Sequence, residues 1–212
     1  MSCRLVSHLI VEPPLVLGSG SPRRAGILRG LGLEFIVDPS GIPEDALDGE
    51  SAREHVTRLA LAKAREVAAR HGRGTVLGAD TIVVLDGRLF GKPEGPAEAL
   101  DMLRAIRGRW HEVVTGVAAV RSSDGSSAAG SETTRVLVRS LTDDEVRDYV
   151  EGGEPMDKAG SYAIQGCGSA VVERVEGCFY NVVGLPVVRM CRVLEELGRV
   201  GGRRRGRSTE GV

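Results

Sequence analysis

Aromatic residues are scarce in this chain, at 3%. Proteins that grip single-stranded nucleic acid stack bases on aromatic rings, so nucleic acid is not an expected partner. Net charge is also nearly absent. The formal balance is −1 at pH 7, which gives no global field to attract a polyanion or an anionic membrane. No apolar run approaches the ~18 residues of a membrane-spanning helix. The stretch at 5–11 is broken by Ser7 and His8 and is too short for a convincing signal peptide. Cysteine is sparse as well. Cys3, Cys167, Cys178 and Cys191 form no Cys-x-x-Cys, and their spacing fits neither a zinc site nor a disulfide framework. Free thiols in a cytoplasmic protein are the expectation.

What is present is an ordinary globular composition. The chain has 212 residues, 42% hydrophobic and 27% charged. That is enough for one large domain or a tight pair of lobes with a real core. Residues 198–212 depart from this, with arginine and glycine and no apolar periodicity. They read as a disordered tail. Such a tail can touch RNA, but a solvated extension is the simpler reading.

The stretch "LVLGSGSPRR" at 15–24 is the first with chemical content. A short buried strand over 15–18 gives way to a Gly/Ser turn. Ser21 reads as a helix N-cap and Pro22 as the first helical residue, with the helix running to about Gly30. Strand, turn and helix N-terminus together aim free backbone N–H groups at one spot. Ser19, Ser21, Arg23 and Arg24 crowd the same spot, which suits phosphate oxygens. It is not a Walker loop, because no Gly-Lys-Ser/Thr follows.

Ser51-Ala-Arg-Glu54 is a capping box that opens a second helix. Its apolar stripe is Val56, Leu59, Ala60, Ala64 and Val67. Lys63 falls in the middle of that stripe. It either points inward to an anionic ligand or snorkels to the rim. Residues 75–90 form two apolar runs around Asp86-Gly87, a hairpin signal. Asp80 lies inside the first run. An unpaired carboxylate there costs several kcal/mol, so Asp80 needs a cation, a metal or a pocket. Gly91-Lys92-Pro93 is a rigid loop presenting a lysine, a weak signal by itself. Pro96 starts a helix to about Arg107.

Strand-like runs at 112–121 and 133–139 follow, separated by the loop "SSDGSSAAG". Thr142-x-x-Glu145 is a second capping box, with a stop at Gly152-Gly153. His111 is tempting as a base, but a structural hydrogen-bonding histidine is the simpler reading. "AVVERV" reads as a strand, and Pro186 sits near the start of a C-terminal helix. The alternation predicts an α/β (α+β) fold with a mixed sheet.

Taken together, the fragments "SGSPRR", "RLALAKA", "GADTIVV", "GKP", "HEVVTGVAAV", "GEPMDKAGSYAIQG" and "NVVGLP" resemble the Maf (septum formation inhibitor) family of nucleoside triphosphate pyrophosphatases. Each fragment alone is weak, but in this order they are specific. The resemblance spans about residues 15–195. It implies a mixed sheet with flanking helices in two lobes around a cleft, similar to the inosine-triphosphate pyrophosphatases. It also implies hydrolysis of a nucleoside triphosphate to monophosphate and pyrophosphate with a divalent cation, Mg²⁺ or Mn²⁺. Within the family, the dTTP/UTP branch looks closest, its specificity positions falling on Arg23, Thr81 and Gln165.

By the same resemblance, Asp80 is the proton acceptor and shares the metal with an acidic residue carried over to Glu44. Asp45 stays open for that second role, because "DPSGIPEDALDGE" is looser than the family pattern. Lys63, Lys92 and Arg24 would neutralise the phosphate chain, and Ser19 and Ser21 would hold its oxygens. Arg23 and Gln165 could read a pyrimidine edge, which offers two carbonyl acceptors and one N–H. Gln165 could instead brace the glycine turn at 166–168. The implied organisation is an N-terminal extension over 1–14, the pyrophosphatase domain over 15–197, and the tail. A homodimer is left open. Two rival functions remain: a pyrophosphatase for modified purines such as 7-methyl-GTP, and a nucleotide-binding regulator of cell division without turnover.

Overall fold

The computed structural model of the chain describes residues 4–202, with side chains described over 6–200. A seven-stranded mixed sheet organises it, in the order β2-β1-β3-β5-β6-β7, with β4 paired to β3. Strands β1 (Leu15–Leu17), β2 (Ile36–Val37) and the first residues of β3 (Thr75–Leu85) run parallel. Strands β4 (Arg88–Phe90), β5 (Trp110–Arg121), β6 (Ser127–Val138) and β7 (Val172–Glu176) add antiparallel ladders. The hairpin between β3 and β4 turns on Asp86 and Gly87, with φ of 51° and 79°, the left-handed pair that a two-residue turn requires.

A short helix, α1 (Arg4–Ser7), precedes the sheet, and α2 (Pro22–Gly30) follows β1. Helix α3 (Ala52–Ala68) covers one face of β3 and β5 with Val56, Leu59, Ala60, Ala64 and Val67, all buried. Each large member of that stripe contributes about 1.5–3 kcal/mol by leaving water. Two glycines let the helix sit unusually close. A Cβ on Gly78 would lie 2.2 Å from the Ala60 carbonyl oxygen, and one on Gly116 would lie 2.1 Å from that of Val56. Gly116 pairs across the sheet with Asp80. The trough they form brings the backbone of α3 down to the strand that carries the carboxylate.

The opposite face is covered by two separate groups. Helices α2 and α7 (Val187–Gly202) pack with Leu15, Leu17, Leu77, Ala79, Val117 and Ala119 in one core. Helices α4 (Pro96–Ile106) and α5 (Asp143–Glu151) pack with Val83, Leu85, Val113 and Val136 in a second. The short helix α6 (Phe179–Val183) lies against β5 and β6 between them. The expected mixed sheet with two lobes is therefore present, and the cleft is lined by residues from both of its faces.

Three boundaries differ from the sequence reading. Strand β6 begins at Ser127, inside the expected loop. Its small residues oppose Val117, Ala118, Ala119 and Val120 of β5, and Gly130 leaves room for Arg189. The sequence reads as a loop because packing, not side-chain bulk, makes it a strand. The described part of the N-terminal extension is packed: Val6 is buried in the first core, and Glu12 accepts from Gly74 N at 3.1 Å. Helix α7 passes the expected boundary at 197 and continues to Gly202. Leu197 is its last fully buried side chain, and the backbone ladder carries the helix on past it. The rest of the expected tail, 203–212, lies outside the described residues.

Candidate active site

A cleft of about 800 Å³ is lined by Ser19, Ser21, Arg23, Arg24, Glu44, Asp45, Lys63, Asp80, Thr81, Lys92 and Gln165, all singled out from the sequence. That size suits a nucleotide. The cleft straddles the middle of β3, and consecutive residues there face opposite sides, as strand geometry demands.

Asp80 faces α3. Lys63 Nζ donates to Asp80 Oδ1 at 2.6 Å and to Glu44 Oε1 at 2.6 Å. Both Lys63 and Asp80 side chains are only 8% exposed. Lys63 therefore points inward, and the rim alternative fails. Glu44, 46% exposed, also lies 3.5 Å from Lys92 Nζ. Burial opposes ionisation of Glu44, but hydrogen bonds and charge from Lys63, then Lys92, outweigh it and hold the carboxyl below its usual range. Between the two acids left open, Glu44 is the one brought to the lysines. Asp45 instead offers its backbone carbonyl to Arg58 Nη2 at 3.0 Å.

The segment carrying Glu44 has no regular secondary structure and is tied down from α3. Arg58 donates to both oxygens of Glu50, at 2.6 and 2.7 Å, and His55 Nδ1 pairs with Glu50 Oε2 at 3.1 Å. The Arg58 hydrogen bonds hold the Glu50 carboxyl down at about 2. The sequence reading missed this anchor. Its one visible signal was His55, a polar residue beside the apolar stripe.

Thr81 faces the other way, toward Arg24. Ser21 caps α2 as expected and accepts from Arg24 N. The two adjacent arginines then part. Arg24 is locked: Nε donates to the Gly184 carbonyl at 2.8 Å, Nη1 to Ser19 Oγ at 2.9 Å and Nη2 to Thr81 Oγ1 at 3.1 Å. Burial lowers its pKa from the ordinary guanidinium value, against the pull of Asp80 and Glu44. Each guanidinium nitrogen of Arg24 makes one bond to protein, which fixes Ser19 and Thr81 and leaves one N–H on each Nη. Thr115 donates to the Asn181 carbonyl at 3.0 Å and lies 3.0 Å from Thr81 Oγ1. With the Thr115 hydrogen spent on Asn181, the Thr81 hydroxyl donates to Thr115. It then presents only an acceptor lone pair to a ligand.

Arg23 is more open, 26% exposed, and pairs with Asp157 at 3.0 Å. Gln165 is exposed in the cleft lining and makes no capping hydrogen bond to the turn that follows it. The turn is braced by another residue. Glu154 accepts from Cys167 N at 2.9 Å, Gly168 N at 3.0 Å and Tyr149 Oη at 3.0 Å. Gly160 N donates to the Gly91 carbonyl at 3.0 Å, which ties this wall to the loop of Lys92. His111 does not line the cleft. It is buried, with Nε2 paired to Tyr162 Oη at 2.7 Å, the structural role expected.

The donor set bears on a metal. Among the described residues no group of three or more His, Cys, Asp or Glu converges on one point. Two carboxylates, Glu44 and Asp80, both accept from Lys63 Nζ, at 2.6 Å each. Two such oxygen donors would suit an ion held partly by the substrate's own phosphates, as Mg²⁺ usually is, rather than by an all-protein cage.

The chain matches the Maf-like protein family over residues 14–197. It belongs to that family. A protein of Moorella thermoacetica named dTTP/UTP pyrophosphatase is 48% identical over 184 residues, covering 87% of this chain and 95% of that one. Another of that name, from Syntrophotalea carbinolica, is 46% identical over 189 residues, covering 88% and 86%. Among solved structures, a nucleoside-triphosphatase / dITP/XTP pyrophosphatase from Mycobacterium abscessus overlaps 58% of this chain and 72% of its own. That overlap has a TM-score of 0.38 at 15% identity, a distant likeness. No helix among the described residues is long and apolar enough to cross a membrane.

Proposed function

We propose that this Maf-family chain is a nucleoside triphosphate pyrophosphatase that converts dTTP and UTP to the monophosphate and pyrophosphate. The observation that carries the chemistry is the buried Asp80–Lys63 pair at 2.6 Å, set on a central strand at the cleft. The names of relatives 43–48% identical over most of the chain supply the substrate class.

Asp80 uses Oδ1 for Lys63 and has Oδ2 left to take a proton from water. That water's oxygen bonds to the α-phosphorus, the bond from α-phosphorus to the bridging oxygen breaks, and pyrophosphate leaves with that oxygen. The site does little covalent work, so positioning and charge carry the rate. Lys63 holds Asp80 in place through its hydrogen bond to Oδ1. Lys92, 58% exposed at the mouth, is free to swing onto the polyphosphate. Ser19, fixed by Arg24, and the N-terminus of α2 offer donors to its oxygens.

Two lysines here are matched by two carboxylates, so the cluster has little net positive charge for a triphosphate. A divalent ion, Mg²⁺ or Mn²⁺, held by Glu44, Asp80 and the phosphates would supply that charge and polarise the α-phosphoryl group. At the base, Thr81 offers an acceptor for the single N–H of uracil or thymine, while Arg23 and Gln165 offer donors for its carbonyls. A cytoplasmic setting is part of this reading, in line with the free Cys167 and Cys178.

The test is a panel of nucleoside triphosphates with Mg²⁺ or Mn²⁺, scoring pyrophosphate, phosphate and monophosphate. Pyrophosphate and monophosphate in equal amounts, fastest from UTP and dTTP, are expected. Release of single phosphates would reject the reading.

A further inference from the structure

The two side chains read above as donors to the base carbonyls come from opposite walls, Arg23 from α2 and Gln165 from the loop before the turn Gly166–Ala170. Both are referenced to one element, the four-residue 3-10 turn Glu154–Asp157. At one end of it, Asp157 Oδ2 accepts from Arg23 Nη1 at 3.0 Å, and the Asp157 carbonyl accepts from Nη2 at 3.4 Å. Lys158 Nζ donates to Asp157 Oδ1 at 2.6 Å and also to the Glu154 carbonyl, which clamps the carboxylate to its own turn. At the other end, Glu154 holds the amides of Cys167 and Gly168. Gly166, with φ of +67°, packs so closely that a Cβ there would lie 2.8 Å from Glu154 Oε2.

We propose that Asp157 is the positioning residue for Arg23, and that the turn it shares with Glu154 sets the distance between the two base-reading side chains. This rests on the reading of Arg23 and Gln165 as base readers. A guanidinium carries five N–H donors. Asp157 takes one from each Nη, so the Nε–H and one further N–H on each Nη stay available for a base carbonyl. Arg23 can thus be held and still donate. A long, half-exposed arginine otherwise spreads over many rotamers, and ordering it at binding costs affinity. The pair is exposed, at 26% and 60%, so it adds little to folding stability. Its consequence falls on recognition.

The experiment compares Asp157→Ala, Arg23→Ala and the double variant of the full chain. It measures kcat and KM for UTP and GTP together with the unfolding midpoint. Asp157→Ala should lower kcat/KM for UTP on the order of 10-fold, through KM, because a binding contact and not a transition-state contact is lost. GTP turnover should change little, and the midpoint should hold. In the Arg23→Ala background, Asp157→Ala should have no further effect. Asp157→Asn, which keeps an acceptor in place, should recover part of the loss. Equal losses on both nucleotides, or losses that simply multiply with those of Arg23→Ala, would overturn the proposal. If Arg23→Ala narrows the base preference and Asp157→Ala leaves it intact, Asp157 alone is ruled out. If Arg23→Ala leaves the preference intact, the base-reading role falls and the proposal with it.

Discussion

The two sides of β3 at the cleft are built on different principles. On the α3 side, Asp80 and Lys63 are buried, oppositely charged and fixed by regular secondary structure. On the other side, Asp157 and Gln165 are open to solvent and Arg23 is partly so, and two of the three sit in 3-10 turns or the loop between them. One residue step along a strand, from Asp80 to Thr81, crosses from one regime to the other. A buried charge pair loses heavily when one partner is removed, because the other stays desolvated and unmatched. An exposed pair loses little stability. Chemistry and base choice should therefore respond separately to mutation, the first in kcat and the second in KM.

Asp80→Asn is the sharpest way to break that division, with the largest expected effect. Asparagine keeps the shape but loses the charge, and with it both proton acceptance and metal attraction. A 10²–10⁴-fold fall in kcat is expected, roughly 3–5 kcal/mol. Nucleotide affinity should fall far less, since Ser19, Lys63 and Lys92 remain. Steady-state kinetics beside direct binding measurements decide it. Turnover within a few-fold of the parent would move the base to Glu44.

Arg24→Ala tests whether the adjacent arginines really differ. It strips the partner from Ser19, Thr81 and the Gly184 carbonyl, leaving buried polar groups unmatched. A loss of about 3 kcal/mol in unfolding free energy is expected, read by denaturant titration. Arg23→Ala should leave stability nearly untouched. Similar losses for both would show that the burial contrast has no energetic meaning.

His111 lies in the core beneath the base-reading wall, where it holds Tyr162. Burial pushes its imidazole down from 6.5 to about 4. Between those values the unfolded chain takes up a proton that the folded chain does not. Stability from this group is therefore full above 6.5 and is lost as pH falls toward 4, by up to about 3 kcal/mol. Unfolding midpoints measured from pH 7 to pH 4 should drop more steeply in the parent than in His111→Gln. Parallel curves would show that His111 does not govern this window.

How much of this was legible in the sequence follows the same division. Lys63 stood out because it interrupts an apolar helical stripe, and Asp80 because it interrupts an apolar strand. A regular period makes the misplaced residue visible. The capping boxes at Ser51 and Thr142 fixed the starts of α3 and α5 for the same reason, a local pattern with a local cause. Asp157 and Glu154 broke no period, and nothing near them in sequence names Arg23 or the amides of Cys167 and Gly168 as partners. The part played by Asn181, whose carbonyl orients Thr115 and through it Thr81, was equally hidden. The fold alone brings them together. Strand β6 was shortened for a related reason, since the pairing with β5 that extends Ala128 and Ala129 is tertiary.

The smallest expected effect falls on Gln165, and it probes the open wall directly. Gln165 makes no capping hydrogen bond to its turn, which Glu154 braces instead. Gln165→Ala should leave the turn and the unfolding midpoint as they are. Its loss should appear only when a pyrimidine carbonyl or N–H is left unmatched in the cleft. The expected cost is about 1–3 kcal/mol in kcat/KM for UTP and dTTP. Purine triphosphates, whose edges do not present the same donor and acceptor pattern, should lose less. Competition between UTP and GTP in one reaction gives the ratio of the two kcat/KM values without the errors of separate assays. An unchanged ratio would return Gln165 to the surface. A lowered midpoint with equal losses on every base would show the side chain bracing the loop after all.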